Sequence, residues 1–106
     1  MVVQFGNLAD ITSWMKLVKE VKWNFPGLET DEAFEEHKKT VMKFISQKRA
    51  LCVKEQGEVV GVLLFSRKYN MICCLAVKPE FRNRGIASML IKKAFNELDS
   101  DKDIVV

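Results

Sequence analysis

The sequence predicts a mixed α/β domain whose mainly antiparallel sheet is flanked by helices, and three observations carry that prediction. Two segments with helical apolar spacing open the chain, a turn-joined pair of apolar segments follows, and a third apolar run feeds a helix that begins at a glycine. Length sets the scale: 106 residues hold one domain, 1–106, with a modest core.

The first helix is expected from Asn7, a good capping residue, with Leu8, Ile11, Trp14, Met15, Val18 and Val21 on its apolar stripe, and it ends before Pro26. Trp23-Asn24-Phe25-Pro26-Gly27 reads as a connecting loop, because Pro and Gly interrupt helix and the residue before Pro is driven to extended geometry. A second helix fits Asp31 to Lys48: Phe34, His37, Val41, Phe44 and Ile45 share a stripe, acids occupy the first turns and bases the last. From Ala50 the pattern changes to strand. Ala50 to Glu55, a Gln56-Gly57 turn and Glu58 to Phe65 form a hairpin. Met71 to Val77 lacks polar alternation and reads as a strand buried on both faces, ended by Pro79. Gly85 to Leu98 then forms a third helix with Ala87, Leu90, Ile91, Ala94 and Leu98 inward. After the polar Asp99 to Lys102, Asp103-Ile104-Val105-Val106 resembles the start of a further buried strand, so the fold is expected to be truncated within its fifth strand.

Composition narrows the function classes. Hydrophobic residues at 48% and charged residues at 29% are those of a folded soluble protein. The net charge of +3 is spread along the chain with no basic face interleaved with aromatics, which argues against a nucleic-acid partner. The apolar runs are too short to cross a bilayer, so no membrane partner is expected. Cys52, Cys73 and Cys74 are odd in number and two are adjacent, a poor geometry for a disulfide, so a reducing cytoplasm is the simplest location. With His37 the sole histidine and no C-x-x-C spacing, no metal site is expected.

The chemistry sits in Leu75 to Leu90, a strand, a tight turn and a helix start. The first N–H groups of a helix lack intrahelical partners, and with the helix dipole they form a site for a pyrophosphate. Gly85 permits close approach of the backbone, Ala87 leaves the next turn uncluttered, and Arg82 and Arg84 add positive charge. Arg82-x-x-Gly85-x-Ala87, preceded by Leu75-Ala76-Val77-x-Pro79-Glu80-Phe81, resembles motif A of the GNAT superfamily of N-acetyltransferases. The order of elements is similar to that family's from the N-terminus through its fifth strand, and adds a short strand near Val2 to Phe5.

The resemblance implies an acetyltransferase using acetyl-coenzyme A as cosubstrate, with an amine of a small molecule or peptide attacking the thioester directly. It implies that Leu75, Ala76 and Val77 bond the pantetheine arm through their main chain, and that Arg82, Asn83, Arg84, Gly85, Ile86 and Ala87, with Ser88 adding a hydroxyl, hold the pyrophosphate. It also places the loop between the first two helices beside the acceptor, where Trp23 and Phe25 either line the acceptor pocket or cover the core.

The chain departs from the family where it ends. The tyrosine that often protonates the departing thiolate belongs to a later helix, Tyr69 is in the wrong segment, and the strand before the motif offers no glutamate, so no catalytic residue is assigned. The alternative is a non-catalytic acetyl-coenzyme A binding or regulatory module. His37 reads as a core or boundary residue, and Cys73 and Cys74 as packing residues. An incomplete fifth strand leaves the Met71 to Val77 edge open, so a homodimer or larger assembly through that edge is expected, with weak or absent turnover by the chain alone.

Overall fold

Residues 1–22 and 27–106 are described by a computed structural model of the chain, so Trp23 and Phe25 lie outside the described residues. Local chemistry sets each element. Asn7 caps through its side chain, which accepts from the Ala9 N–H at 3.0 Å, while Asp10 accepts from the Asn7 N–H at 3.0 Å. The cap opens a 3-10 turn, Leu8–Asp10, and α1 follows at Ile11–Val21. Leu8 is therefore exposed and off the apolar stripe, which Leu17 joins instead. The tighter 3-10 winding rotates Leu8 away from the direction α-helical spacing assigns it. Thr30 caps α2, Asp31–Ser46, which stops two residues short of the expected Lys48 because Lys48 turns to φ 55°.

The sheet has the order β1-β2-β3-β4, all antiparallel: β1 Val3–Phe5, β2 Ala50–Glu55, β3 Glu58–Ser66 and β4 Met71–Val77. Gln56 and Gly57, both with positive φ, make the β2–β3 turn in the hairpin form that matches strand twist. Helices α1 and α2 cover one face through a core that includes Trp14, Val18, Val41, Ile45, Cys52, Val62 and Leu64. The third helix, α3 at Ile86–Glu97, covers the other face through Leu51, Leu63, Phe65, Ile72, Ile86 and Leu90. The result is three layers, with β3 buried on both faces.

β4 lies at the sheet edge, where its open side was expected, but the expectation that Met71–Val77 is buried on both faces is corrected: Cys73 is exposed and only Ile72 and Ala76 are fully buried. An apolar run without alternation excludes a polar face, but strand order decides burial, and β4 has a full partner on one side only. Cys73 is thus not a packing residue. It is the unpaired residue of a bulge, since Leu64 pairs with Cys74 and Phe65 with Ile72. Cys74, half-buried, packs against the α1/α2 core.

The further strand begins where expected. Val105 forms an isolated parallel bridge to Met71, accepting from the Ile72 N–H at 2.8 Å and donating to the Asn70 carbonyl at 3.0 Å.

His37 lies half-buried on α2, and burial holds its pKa below the ordinary 6.5. The unfolded chain then binds a proton more readily than the folded one, so His37 costs stability as pH falls from 6.5 toward the depressed value, below which both states are protonated. Urea denaturation at pH 7.5 and 5.5 should show wild type losing more stability on acidification than His37→Asn; parallel losses would count against a buried neutral imidazole.

Candidate functional site

The site grows from one continuous stretch. β4 ends at Val77, Pro79 opens a single 3-10 turn, Pro79–Phe81, and Arg82 returns the chain to extended geometry. Asn83 at φ 65° and Gly85 at φ 80° then reverse the backbone, and Gly85 serves as the N-cap of α3. Glycine is the residue that takes this left-handed turn without strain. The expected helix start therefore shifts by one: Gly85 is outside α3, and Ile86 is its first residue.

The first intrahelical bond is the Met89 N–H to the Gly85 carbonyl at 3.0 Å. The N–H groups of Ile86, Ala87 and Ser88 precede it and have no helical carbonyl to reach. They border a cleft of about 230 Å³ lined by Val77, Phe81, Arg82, Asn83, Gly85 and the first residues of α3. A Cβ at Gly85 would meet no protein atom within 4 Å. Gly85 is exposed and itself lines the cleft, so its backbone is open to an approaching anion.

Both arginines are oriented by neighbours. Arg82 donates from Nε to the Val77 carbonyl at 3.3 Å, and the Arg84 guanidinium lies 4.8 Å from the Phe81 ring centroid. Both residues are exposed, so their charge reaches the cleft through solvent. Ser88 is exposed at the same helix end.

Strand register decides which main-chain groups of β4 face outward. The Lys78 N–H donates to the Val60 carbonyl at 2.8 Å, so residues 78, 76 and 74 turn their backbone groups toward β3. Leu75 and Val77 turn theirs away, toward the open edge. Of the three residues expected to bond an extended ligand, these two have the required direction, whereas the amide and carbonyl of Ala76 belong to the β3 ladder. Farther along the same edge an apolar groove of about 250 Å³ is lined by Ile72, Cys73, Cys74, Leu75, Ile91 and Val106.

Acid–base groups are sparse along this edge. Tyr69 lies in the β3–β4 turn with its side chain exposed. Burial pushes the Cys74 thiol up to about 11 and also raises Cys73, so neither is a ready thiolate at neutral pH. Among the described residues no three of His, Cys, Asp and Glu come together as metal ligands, and no helix is long and apolar enough to cross a membrane.

Sequence reasoning missed two residues that hold the elements around this site together. Gly61, on β3, lies directly beneath α3: a Cβ there would stand 2.7 Å from Ile86 Cγ2. Asn70, in the β3–β4 turn, ties the chain after α3 to the sheet. A glycine inside an apolar strand was the visible signal for the first. Nothing in the sequence pattern marks the second.

A family model described as the acetyltransferase (GNAT) family matches residues 12–104. No curated protein matches the chain. Among solved structures, a GCN5-related N-acetyltransferase from Kribbella flavida superposes with a TM-score of 0.74 at 19% identity, over 90% of this chain and 26% of that one. A GNAT-family acetyltransferase from Bacillus cereus gives 0.68 at 21% identity over 86% of this chain and 59% of that one. The PaiA N-acetyltransferase from Thermoplasma acidophilum, in complex with coenzyme A, gives 0.67 at 17% identity over 90% and 69%. The chain thus spans about a quarter of the first structure and 59% of the second. These likenesses establish the fold.

Proposed function

Because the chain belongs to the acetyltransferase (GNAT) family, we propose that it binds acetyl-coenzyme A and transfers the acetyl group to an amine of a small molecule or peptide. The observation that carries this reading is the cleft at the start of α3, which Gly85, Arg82 and the residues bearing three unpaired N–H groups line beside the outward backbone of Val77, with Arg84 close by on the Phe81 ring. The pyrophosphate binds at Ile86 to Ser88, with Arg82, Asn83, Arg84 and Gly85 around it. The pantetheine arm runs along the β4 edge, bonding Leu75 and Val77 as an added strand would. The coenzyme A complex of the Thermoplasma protein, which shares the fold, supports the ligand class.

In the reaction the amine nitrogen attacks the thioester carbonyl, the new C–N bond forms as the C–S bond breaks, and the sulfur takes the electron pair. The amine proton leaves to the thiolate or to solvent. This chain contributes by holding the thioester in place along β4.

The exposed position of Tyr69 and the raised thiols support a second reading, a module that binds acetyl-coenzyme A without turnover. Calorimetric titration with acetyl-coenzyme A, followed by an acetylation assay on a panel of amines and peptides, separates the two. Binding with turnover supports the enzyme, binding alone supports the module, and no binding overturns both.

A further inference from the structure

Asn70 is 7% exposed, and both ends of its side-chain amide bond to one partner segment. Its two Nδ2 hydrogens donate to the Asp99 and Asp103 carbonyls, each at 3.0 Å, with the Lys102 carbonyl beside them at 3.5 Å, and its Oδ1 accepts from the Asp99 N–H at 2.8 Å. Its own carbonyl accepts from the Val105 N–H at 3.0 Å, beside the Ile72 N–H to Val105 carbonyl bond at 2.8 Å. One residue thus grips the loop that leaves α3 and aligns the segment after it parallel to the first residues of β4.

That segment contributes to a groove. Val106 lines the apolar groove on the β4 edge together with Ile72, Cys73, Cys74, Leu75 and Ile91. The groove begins at Leu75, two residues from Val77 in the anion cleft, about 7 Å at the rise of an extended strand. The two openings therefore lie in series along one edge, the polar cleft first and the apolar groove next. An arm running from a pyrophosphate in the cleft reaches the groove at Leu75 and continues toward the part that Val106 lines.

We infer that Asn70 is a positioning residue: by clamping residues 99–105 to β4 it sets the Val106 part of the groove that receives the sulfur-bearing end of the coenzyme A arm. The inference rests on the coenzyme A reading above. Asn70 touches neither the cleft nor the groove, so its effect is confined to ligands long enough to reach that part. It also holds φ at 50°, which asparagine and glycine tolerate, so Asn70→Gly deletes the clamp while keeping the turn.

The test compares wild type, Asn70→Gly and Asn70→Asp in titrations with coenzyme A and with adenosine 3′-phosphate 5′-diphosphate, which carries the pyrophosphate without the arm. Amide exchange of Ile72 and Val105 is measured on the unliganded proteins. Both variants should bind coenzyme A about tenfold more weakly, the loss of roughly one buried hydrogen-bonded contact, and the nucleotide within about twofold. Asn70→Asp retains the acceptor for Asp99 but faces its carbonyls with a second acceptor, so it serves as the independent variant should the glycine perturb folding. Exchange at Ile72 and Val105 should quicken about tenfold, with β2 and β3 amides unaffected. Equal losses for both ligands would show a general structural defect and overturn the inference, as would unchanged exchange at Val105. Wild-type protein that binds neither ligand would sink the coenzyme A reading, while the exchange result would still judge the clamp.

Discussion

Replacing Gly61 with valine is expected to destabilise the fold by about 3 kcal/mol. The Cβ alone would sit 2.7 Å from Ile86 Cγ2 and 3.2 Å from Leu90 Cδ1. Neither neighbour can retreat, since Ile86 is 1% exposed and Leu90 0%. Valine adds two methyl groups to that overlap, so α3 must lift from β3 or its side chains must leave their rotamers. Ile86 is also the first residue of α3, and any lift moves the unpaired N–H groups that line the cleft. Urea denaturation should show a lower midpoint with an unchanged slope, and coenzyme A affinity should fall in the material that stays folded. Gly61→Ala should fall between wild type and valine. A valine variant within about 1 kcal/mol of wild type would show that the close docking of α3 on β3 is wrong.

Gly85→Val should have the opposite balance: a modest loss of stability and a large loss of binding. At φ 80° a β-branched residue carries about 1–2 kcal/mol of backbone strain, but its Cβ meets no protein atom within 4 Å, so the fold accommodates it. Gly85 lines the cleft together with Ile86 to Ser88, so under the coenzyme A reading the added side chain is expected to crowd the approach to their N–H groups, and coenzyme A affinity should drop about a hundredfold or more. Arg82→Gln should cost about tenfold or less, because an exposed charge acts through screening solvent whereas an occupied cleft cannot be relieved. Gly85→Asn separates the two causes. Asparagine tolerates the left-handed backbone, so if strain alone were responsible it would restore binding, and if the side chain blocks the cleft it would not. Normal coenzyme A affinity in Gly85→Val would place the ligand elsewhere.

These two glycines mark the limit of what the chain's pattern discloses. Gly85 was legible because its role is local: strand, proline turn, positive-φ glycine and helix start lie within a dozen residues, and together they assemble the cleft. Gly61 could be seen only as an interruption in an apolar strand. Its reason, the contact with Ile86 and Leu90, joins residues far apart in sequence. The same holds for Asn70, whose partners are 29 to 33 residues away. The expected roles of Trp23 and Phe25 beside the acceptor concern residues outside those described.

By itself the sequence determined the helices, the hairpin turn at Gln56-Gly57 and the glycine-bearing turn before α3, because apolar period, capping and backbone preference act over a few residues. Tertiary structure decided that β3 and not β4 is the strand buried on both faces, and that Leu75 and Val77 turn their backbone outward while Ala76 does not. It also decided that Cys73 stands exposed at a bulge. Those properties depend on which strand lies beside which and in what register, and an apolar run has the same composition in either place.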